Sequence, residues 1–344
     1  SLVGSEMCIR DRFRSAFSDL LNIYGEMRSN WYESGAVNDA FFNRVGTNVL
    51  LSGDAGTNWS SIYTTINSAN LILKHTPEIS FTNEATRSEV MANAYFLRAY
   101  CYFTLVRVFG DCPLLTSGFE SEKQEDMYPS RTAASEVYAQ VETDIEEALR
   151  LMPASSKLLH KASPAAINML RTEYYLWKAK RLGGGNAALS TAQSSVDAVL
   201  KAGYALLPTF ADIFNLNNEA NSELIWTLPY IVNENVTPGT SPNFFAYYLA
   251  PNGDRTRLRE AGYTEDEVPA GSHAQYVVPT QAYCDFLAED ARDTRTDVSV
   301  RVFEDKFLTE EVQIKRMVVK FKGSFANDTR SFDSDVPVYR LAEA

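Results

Sequence analysis

Cysteine is scarce in this sequence, and none of the four cysteines stands in the Cys-x-x-Cys spacing of structural zinc sites or thioredoxin-like redox centres. They are Cys8, Cys101, Cys112 and Cys284. If Cys101 lies within a helix, the rise per residue places Cys112 roughly 15 Å away. A disulfide requires Cα atoms within about 7 Å of each other. We therefore expect free, mostly buried thiols, which give no information on the cellular compartment.

The signature motifs of common enzyme classes are also missing. The sequence contains no GxSxG, HExxH, P-loop or GxGxxG pattern, and His75, His160 and His273 lack the spacing of metal ligands. Segment 289–297 is acidic but lacks the glycine and closing glutamate of a calcium loop, so we interpret it as a solvated helix end. These absences favour a binding protein over an enzyme. A glycosidase stays open, because its two carboxylates come from distant positions and leave no local pattern.

Positive charge is scarce relative to negative charge. The chain carries 32 Lys and Arg against 44 Asp and Glu, a formal net charge of −12. That balance disfavours nucleic acid as a partner, because phosphate binding needs a basic surface. The most apolar stretch, residues 92–116, is interrupted by Arg98 and Arg107, so it does not qualify as a membrane span.

The first twelve residues, SLVGSEMCIRDR, differ in character from the rest of the chain. They resemble a translated sequencing adapter, so we expect residues 1–12 to be a non-native leader. The sequence also contains no recognisable secretory signal. In a chain with such a leader, a missing signal says nothing about the compartment.

Apolar residues recur at helical spacing through most of the first 205 residues. The pattern predicts successive helices with short connections, which favours antiparallel neighbours packed in pairs. One of them follows the capping residues Thr82 and Asn83 and ends at Gly110, and another begins at Ser163-Pro164. In the helix after Thr132, three acids (Glu142, Glu146 and Glu147) lie largely away from the apolar stripe, so we expect a solvated face.

The character of the chain changes after about residue 205. Segments 222–230 and 312–323 are rich in β-branched and aromatic residues and predict strands, whereas residues 233–279 predict loops packed against the helical half. We therefore predict a mainly α fold of tetratricopeptide-like helix pairs in an α-α superhelix, with a loop-rich C-terminal half and a few short strands. The predicted division is a leader at 1–12, a helical region at 13–210 and an incomplete C-terminal region at 211–344.

The segment LRAYCYFTLVRVFGDCPLLT, residues 97–116, resembles the signature helix and turn of the SusD/RagB family. The matching groups are Leu97-Arg98-Ala99, Leu105-Val106-Arg107, Phe109-Gly110-Asp111 and Pro113-Leu114. Further segments are similar to the family in chain order, namely 59–73, 128–153, 163–180, 221–230 and 336–344, the last matching the start of a later helix. The resemblance covers residues 13 to 344.

This resemblance implies a non-catalytic, cofactor-free lipoprotein on the surface of the outer membrane of a Gram-negative bacterium. Such proteins sit over a SusC-like TonB-dependent channel and pass captured nutrient into it. Most bind oligosaccharides, whereas the RagB branch handles peptides. The resemblance also implies that the lipid-anchored N-terminal segment and the closing helices are missing from this chain, so we expect a fragment truncated at both ends.

Glycan capture needs aromatic faces for sugar rings and polar side chains for hydroxyl groups, both placed on loops. Two loop regions meet this description, residues 30–46 and 241–257. The candidate ligand-binding residues are Trp31, Tyr32, Asn38, Asp39, Phe41 and Arg44 in the first, and Phe244, Tyr247, Tyr248, Asn252 and Arg255 in the second. No metal site is predicted.

Other conspicuous side chains have a structural interpretation. Trp59, Trp177 and Trp226 lie inside helix or strand patterns. Arg98 and Arg107 are nine residues apart, which places them on opposite sides of one helix, so we expect each to snorkel or to pair with an acid of a neighbouring helix. Three functions remain open: glycan capture, peptide capture by the same architecture, and a tetratricopeptide scaffold or helical glycosidase.

Overall fold

The computed structural model describes residues 2–34, 40–121, 129–231, 262–264, 277–305, 313–327, 329–331 and 333–344. Within these ranges the chain is mainly helical, with short two-stranded sheets, which confirms the predicted fold class. None of the helices in the described ranges combines the length and the apolar character that a membrane crossing requires.

Among its described residues, the N-terminal half contains seven α-helices and a short strand. The helices are α1 (Leu2–Tyr24), α2 (Ala40–Gly46), α3 (Ser60–His75), α4 (Glu84–Phe109), α5 (Ala134–Leu151), α6 (Pro164–Arg181) and α7 (Gly185–Leu200), and the strand is β1 (Tyr32–Ser34). Residues 2–12, expected to be a leader, form the first part of α1, and Ile9 is buried in the helical core.

The C-terminal half contains three shorter helices and seven strands among its described residues. The helices are α8 (Phe210–Ile213), α9 (Gln281–Ala288) and α10 (Thr296–Ser299). The strands are β2 (Leu224–Leu228), β3 (Val277–Pro279), β4 (Val300–Asp305), β5 (Gln313–Val318), β6 (Ser324–Ala326), β7 (Thr329–Ser331) and β8 (Val336–Arg340). They pair antiparallel as β1–β3, β2–β8, β4–β5 and β6–β7.

The helix ends lie where their capping residues predict. The Asn83 side chain accepts a hydrogen bond from the Ala85 amide at 2.9 Å at the start of α4, and the Ser163 side chain does the same for α6. Helix α4 ends at Gly110, whose φ of +70° lies in the left-handed region that favours glycine.

Helix α4 forms the centre of the core. It packs against α3 on one side and α5 on the other, and its aromatic residues are buried around most of its circumference. Phe96 and Tyr100 contact Trp226 of β2 edge-to-face, with ring centroids 4.8 and 5.3 Å apart. The aromatic run at 95–109 is therefore packed inside the protein, where each fully buried large side chain contributes about 1.5–3 kcal/mol. The three cysteines whose side chains are described are free and buried, as predicted.

The two arginines of α4 point to different neighbours, as their spacing predicts. Arg107 pairs with Glu173 of α6 at 2.5 Å, and its guanidinium lies over the Phe103 ring. Arg98 pairs with Asp144 of α5. Both arginines therefore tie helices together.

The acids of α5 correct one prediction. Glu142 and Glu146 were expected on a solvated face, yet both carboxylates are directed toward α6. Glu142 accepts hydrogen bonds from both Tyr174 and Tyr175, and from Lys178 at 2.6 Å. The spacing correctly placed these acids off the apolar stripe. They nevertheless face α6, because its hydroxyl groups and cations supply the hydrogen bonds that water would otherwise supply.

The segment 336–344 corrects a second prediction. It was expected to begin a helix, but residues 336–340 form strand β8, followed by a single 3₁₀ turn at Leu341–Glu343. Val336 and Val338 are β-branched and alternate with Pro337 and Tyr339, a pattern that suits a strand paired on one edge with β2. The predicted strand at 222–230 is confirmed as β2, and the one at 312–323 as β5.

Candidate ligand-binding surface

A short antiparallel ladder brings the start of the chain against its C-terminal half. Tyr32 of β1 lies opposite Pro279 of β3, and the Thr280 amide donates a hydrogen bond to the Trp31 carbonyl at 2.8 Å. The Thr280 side chain then accepts from the Tyr283 amide at 3.2 Å and so caps α9. One residue therefore fixes both the backbone of Trp31 and the first turn of α9.

Trp31 lies on the aromatic side chains of α9. Its ring stacks on Phe286 with centroids 5.4 Å apart and an interplanar angle of 27°, and its centroid lies 5.2 Å from that of Tyr283. We call Trp31, Tyr283 and Phe286 the aromatic platform. Trp31 is 41% exposed and Phe286 is 53% exposed. Two large aromatic side chains thus remain accessible to solvent while holding each other in place.

The underside of the platform is buried. Tyr283 contacts Tyr32, with ring centroids 5.7 Å apart, and Tyr32 packs into a cluster with Ile23, Met27 and Val45. This cluster connects the platform to the end of α1 and to α2. The exposed rings are therefore supported by a packed base, which keeps the conformational entropy cost of ligand binding low.

Polar side chains surround the platform. Glu33 of β1 pairs with Arg316 of β5 at 2.6 Å, and Gln281 donates a hydrogen bond to Asp285 at 2.8 Å on the exposed side of α9. Glu289 follows Phe286 by three positions and is exposed. Carboxylate and amide groups of this kind accept and donate hydrogen bonds to hydroxyl groups.

Arg44 has a supporting position. Its guanidinium donates hydrogen bonds to the Asp54 carboxylate, one of them at 2.9 Å, and this contact lowers the pKa of Asp54. Asp54 also accepts from the Leu51 amide at 2.8 Å. Arg44 therefore holds the turn at residues 51–54 in a fixed conformation.

Of the residues predicted from the sequence, the structure brings Trp31 and Tyr32 into this surface, Trp31 exposed and Tyr32 buried beneath it. Most of the others lie outside the described residues: Asn38, Asp39, the side chain of Phe41, and Phe244, Tyr247, Tyr248, Asn252 and Arg255. Tyr283 and Phe286 were not predicted. Their three-residue spacing on a helix capped by Thr280 was the available signal, because such a spacing places two rings on one face.

The remaining conspicuous groups are structural. Trp226 is buried, Trp177 donates a hydrogen bond to the Tyr138 hydroxyl, and Trp59 packs on Phe109 at the start of α3. Among the residues that the structure describes, no cluster of His, Cys, Asp and Glu could hold a metal ion. The aromatic platform is thus the candidate site.

Comparison with known proteins decides the family. The SusD-like family model, described as "Starch-binding associating with outer membrane", matches residues 14–175. The solved structure of NanU from Bacteroides fragilis is 25% identical and has a TM-score of 0.81 over 99% of this chain and 71% of that one. A SusD superfamily protein from Bacteroides vulgatus is 26% identical, with a TM-score of 0.80 over 99% of this chain and 72% of its own. The chain matches the SusD-like family in sequence and in fold.

Curated relatives agree with this assignment. SusD-like protein P25 of Formosa agariphila is 28% identical over 179 residues, which is 50% of this chain and 31% of the relative. SusD-like protein P38 of the same organism is 31% identical over 214 residues, or 56% of this chain and 39% of the relative. The SusD-like chain described here therefore spans less than half the length of these relatives.

The SusD-like assignment confirms the recognition made from the sequence. Surface glycan-binding protein A from Bacteroides uniformis shares the fold, with a TM-score of 0.75 at 17% identity. The description of the SusD-like family places its members at the outer membrane, which agrees with the predicted localisation. In this chain the residues that carried the resemblance, Arg98, Gly110 and Asp111 among them, are engaged in helix packing and helix ends and lie apart from the aromatic platform.

Proposed function

We propose that this protein captures glycan on the aromatic platform at the cell surface and delivers it, without chemical change, to a SusC-like TonB-dependent channel in the outer membrane. The observation that carries the proposal is the exposed, stacked pair of Trp31 and Phe286. The family description, starch-binding and associating with the outer membrane, supports both the ligand class and the location.

The platform offers what a sugar ring needs. The axial C–H groups of a pyranose form an apolar face, and an aromatic ring removes that face from water without any rearrangement of its own. Hydroxyl groups at the rim of the sugar then require polar partners, which Gln281, Asp285 and Glu289 can supply from the same helix. Capture of this kind involves no bond cleavage, so no catalytic residues are needed.

The partnership with a SusC-like channel rests on the family resemblance. A membrane attachment through an N-terminal lipid anchor on the whole protein rests on the same ground. Both parts of the proposal concern a longer protein than the described chain. Co-purification of the full-length protein with a TonB-dependent receptor encoded beside it tests the partnership directly, and its failure under conditions that preserve glycan binding would contradict it.

Glycan capture is tested by affinity electrophoresis in native gels that contain one polysaccharide each, drawn from a panel of plant, algal and microbial glycans. We expect at least one polysaccharide to retard the protein. Trp31→Ala and Phe286→Ala should each weaken that binding by at least tenfold, about 1.4 kcal/mol, because truncation removes the stacking surface.

Leu189→Ala provides the matched control, because Leu189 is 46% exposed, close to the value for Trp31, and lies on α7 in the helical half. It should bind like the wild type. Binding of peptides with no retardation by any glycan would instead favour the peptide-capturing function of the same architecture. Release of reducing sugar from a bound polysaccharide would contradict a non-catalytic role.

A further inference from the structure

Of the acidic side chains near the aromatic platform, some form ion pairs with arginines in the described ranges and others do not. Glu33 is paired with Arg316 at 2.6 Å, and Asp290 is paired with Arg292 at 2.7 Å. On α9 itself, the partner of Asp285 within the described part of the chain is the neutral amide of Gln281. The fourth acid, Glu289, is exposed at the end of the helix.

These two acids lie close to the stacking surface. Glu289, the C-cap residue, follows Phe286 by three positions, a spacing that places two side chains on one face of a helix, and Asp285 directly precedes Phe286 on the exposed flank of the same turn. They also lie in the last turn of α9 or just beyond it, where the carbonyl groups of the helix carry partial negative charge. The partial negative charge at the end of α9 therefore adds to the negative electrostatic potential of Asp285 and Glu289.

Three arginines of the described residues in this part of the chain have partners of their own. Arg316 is directed to Glu33, and Arg28 donates a hydrogen bond to Asn48 at 2.6 Å in the adjacent turn. Arg295 pairs with Asp293. The surface next to Phe286 therefore has a net negative character, which the chain's overall charge of −12 extends over longer distances.

From this arrangement we propose that the aromatic platform selects uncharged polysaccharides and rejects those with carboxylate or sulfate groups. This inference rests on the proposed function, since it names the ligand class of the same surface. Stacking on the aromatic rings depends little on the charge of the ligand. Repulsion from Asp285 and Glu289 therefore distinguishes anionic from uncharged polysaccharides. An anionic group on a sugar seated against Phe286 lies within several ångströms of one of them.

The size of the effect follows from Coulomb's law. Two like charges about 6 Å apart weaken binding by roughly threefold at the dielectric constant of bulk water and by roughly a hundredfold at the lower effective value near a protein surface. The effect is screened by salt, because the Debye length is about 8 Å at physiological ionic strength. Rejection should therefore fade as salt is added, whereas binding of an uncharged ligand should not change.

The experiment compares an uncharged polysaccharide panel (soluble starch, pullulan, laminarin, mannan and xylan) with carboxymethylated samples of the same five. Retardation is measured for the wild type and for an Asp285→Asn/Glu289→Gln double variant at 20 and 500 mM salt. Glu78→Gln/Glu84→Gln is the control, because it makes the same change in net charge at two exposed acids of the helical half.

For the polysaccharide that binds, we expect carboxymethylation to weaken wild-type binding by at least threefold at low salt. We also expect the Asp285→Asn/Glu289→Gln variant, but not the control, to recover most of that loss. Equal binding of both forms, or stronger binding of the carboxymethylated form, would overturn the charge selection while leaving glycan capture intact. Absence of retardation by every sample, charged or uncharged, would overturn glycan capture itself.

Discussion

The Arg98 guanidinium holds the Asp144 carboxylate with two hydrogen bonds, Nε to Oδ2 at 2.8 Å and Nη2 to Oδ1 at 2.6 Å, in the interior of the helical core. A third donation from Arg98 reaches the Asn70 side chain at 2.7 Å. The Asn70 amide in turn donates to the Leu115 carbonyl at 2.9 Å. This network joins α3, α4 and α5 and fixes the loop that follows α4.

Removal of Asp144 should destabilise the protein strongly. Asp144→Ala leaves the buried guanidinium of Arg98 without a counter-charge, and the loss of one member of a buried ion pair costs about 3–5 kcal/mol. The change is measured as the shift in the midpoint of urea unfolding, with the m value (the slope of the unfolding free energy against urea concentration) unchanged.

The matched control is Arg150→Ala, which breaks the exposed pair with Glu147 on the same helix. It should have a much smaller effect, because exposed pairs are solvated in both states. Similar destabilisation by the two variants would show that the buried Arg98–Asp144 pair contributes no more to stability than an exposed pair does.

Asp111 acts as a helix cap from a distance in sequence. Helix α5 has Ala133 at its cap position, which offers no side-chain acceptor, and the Asp111 carboxylate accepts the Ala134 amide at 2.9 Å instead. We expect Asp111→Ala to lower the free energy of unfolding by about 0.5–2 kcal/mol. Asp111→Asn keeps an acceptor in place and should retain most of the stability, so equal losses in the two variants in chemical denaturation would refute the capping role.

Stability should depend on pH through Glu219. Burial raises the pKa of Glu219 to about 7, while its carboxylate accepts the Asp335 amide at 3.0 Å. Because the folded pKa lies above the unfolded value of 4.5, the folded state binds the proton more tightly. The stabilising contribution of this group is complete below about pH 4.5 and is lost as pH rises through about 7.

Glu219→Gln isolates this contribution, since glutamine retains an acceptor but cannot titrate. Burial also raises the pKa of Asp335 and lowers that of His160, and both groups remain in the variant. The free energy of unfolding of the wild type, relative to that of Glu219→Gln, should therefore fall between pH 5 and pH 8. Two parallel stability curves over that interval would show that Glu219 titrates normally in the folded protein.

The regular part of the fold could be predicted from the sequence because its signals are local. Asn83, Gly110 and Ser163 mark helix ends through their own backbone and side-chain preferences. The failures have a common origin in tertiary contacts. Glu142 is covered because α6 presents tyrosines and a lysine, and Val336 joins a strand because β2 offers an edge.

Only one part of the candidate site, the part that contains Trp31, could be predicted from the sequence. Trp31 stood out as an aromatic residue in a polar loop, and the structure places it on an exposed surface. Its partner Phe286 lies far along the chain, and the two meet through a ladder of three residues a side between β1 and β3. So short a ladder leaves almost no periodicity to detect, and its register is set by the packing of Tyr32 beneath it.

The most direct test of the account is a double-mutant cycle on Trp31 and Phe286, with the affinity for the retarding polysaccharide measured by isothermal titration calorimetry. If both rings form one stacking surface, each single change to alanine should weaken binding by at least tenfold. The double change should then weaken it by much less than the product of the two, because the rings act together. Unaltered affinity in both single variants, with binding to the wild type intact, would contradict the central claim that glycan is held on this platform.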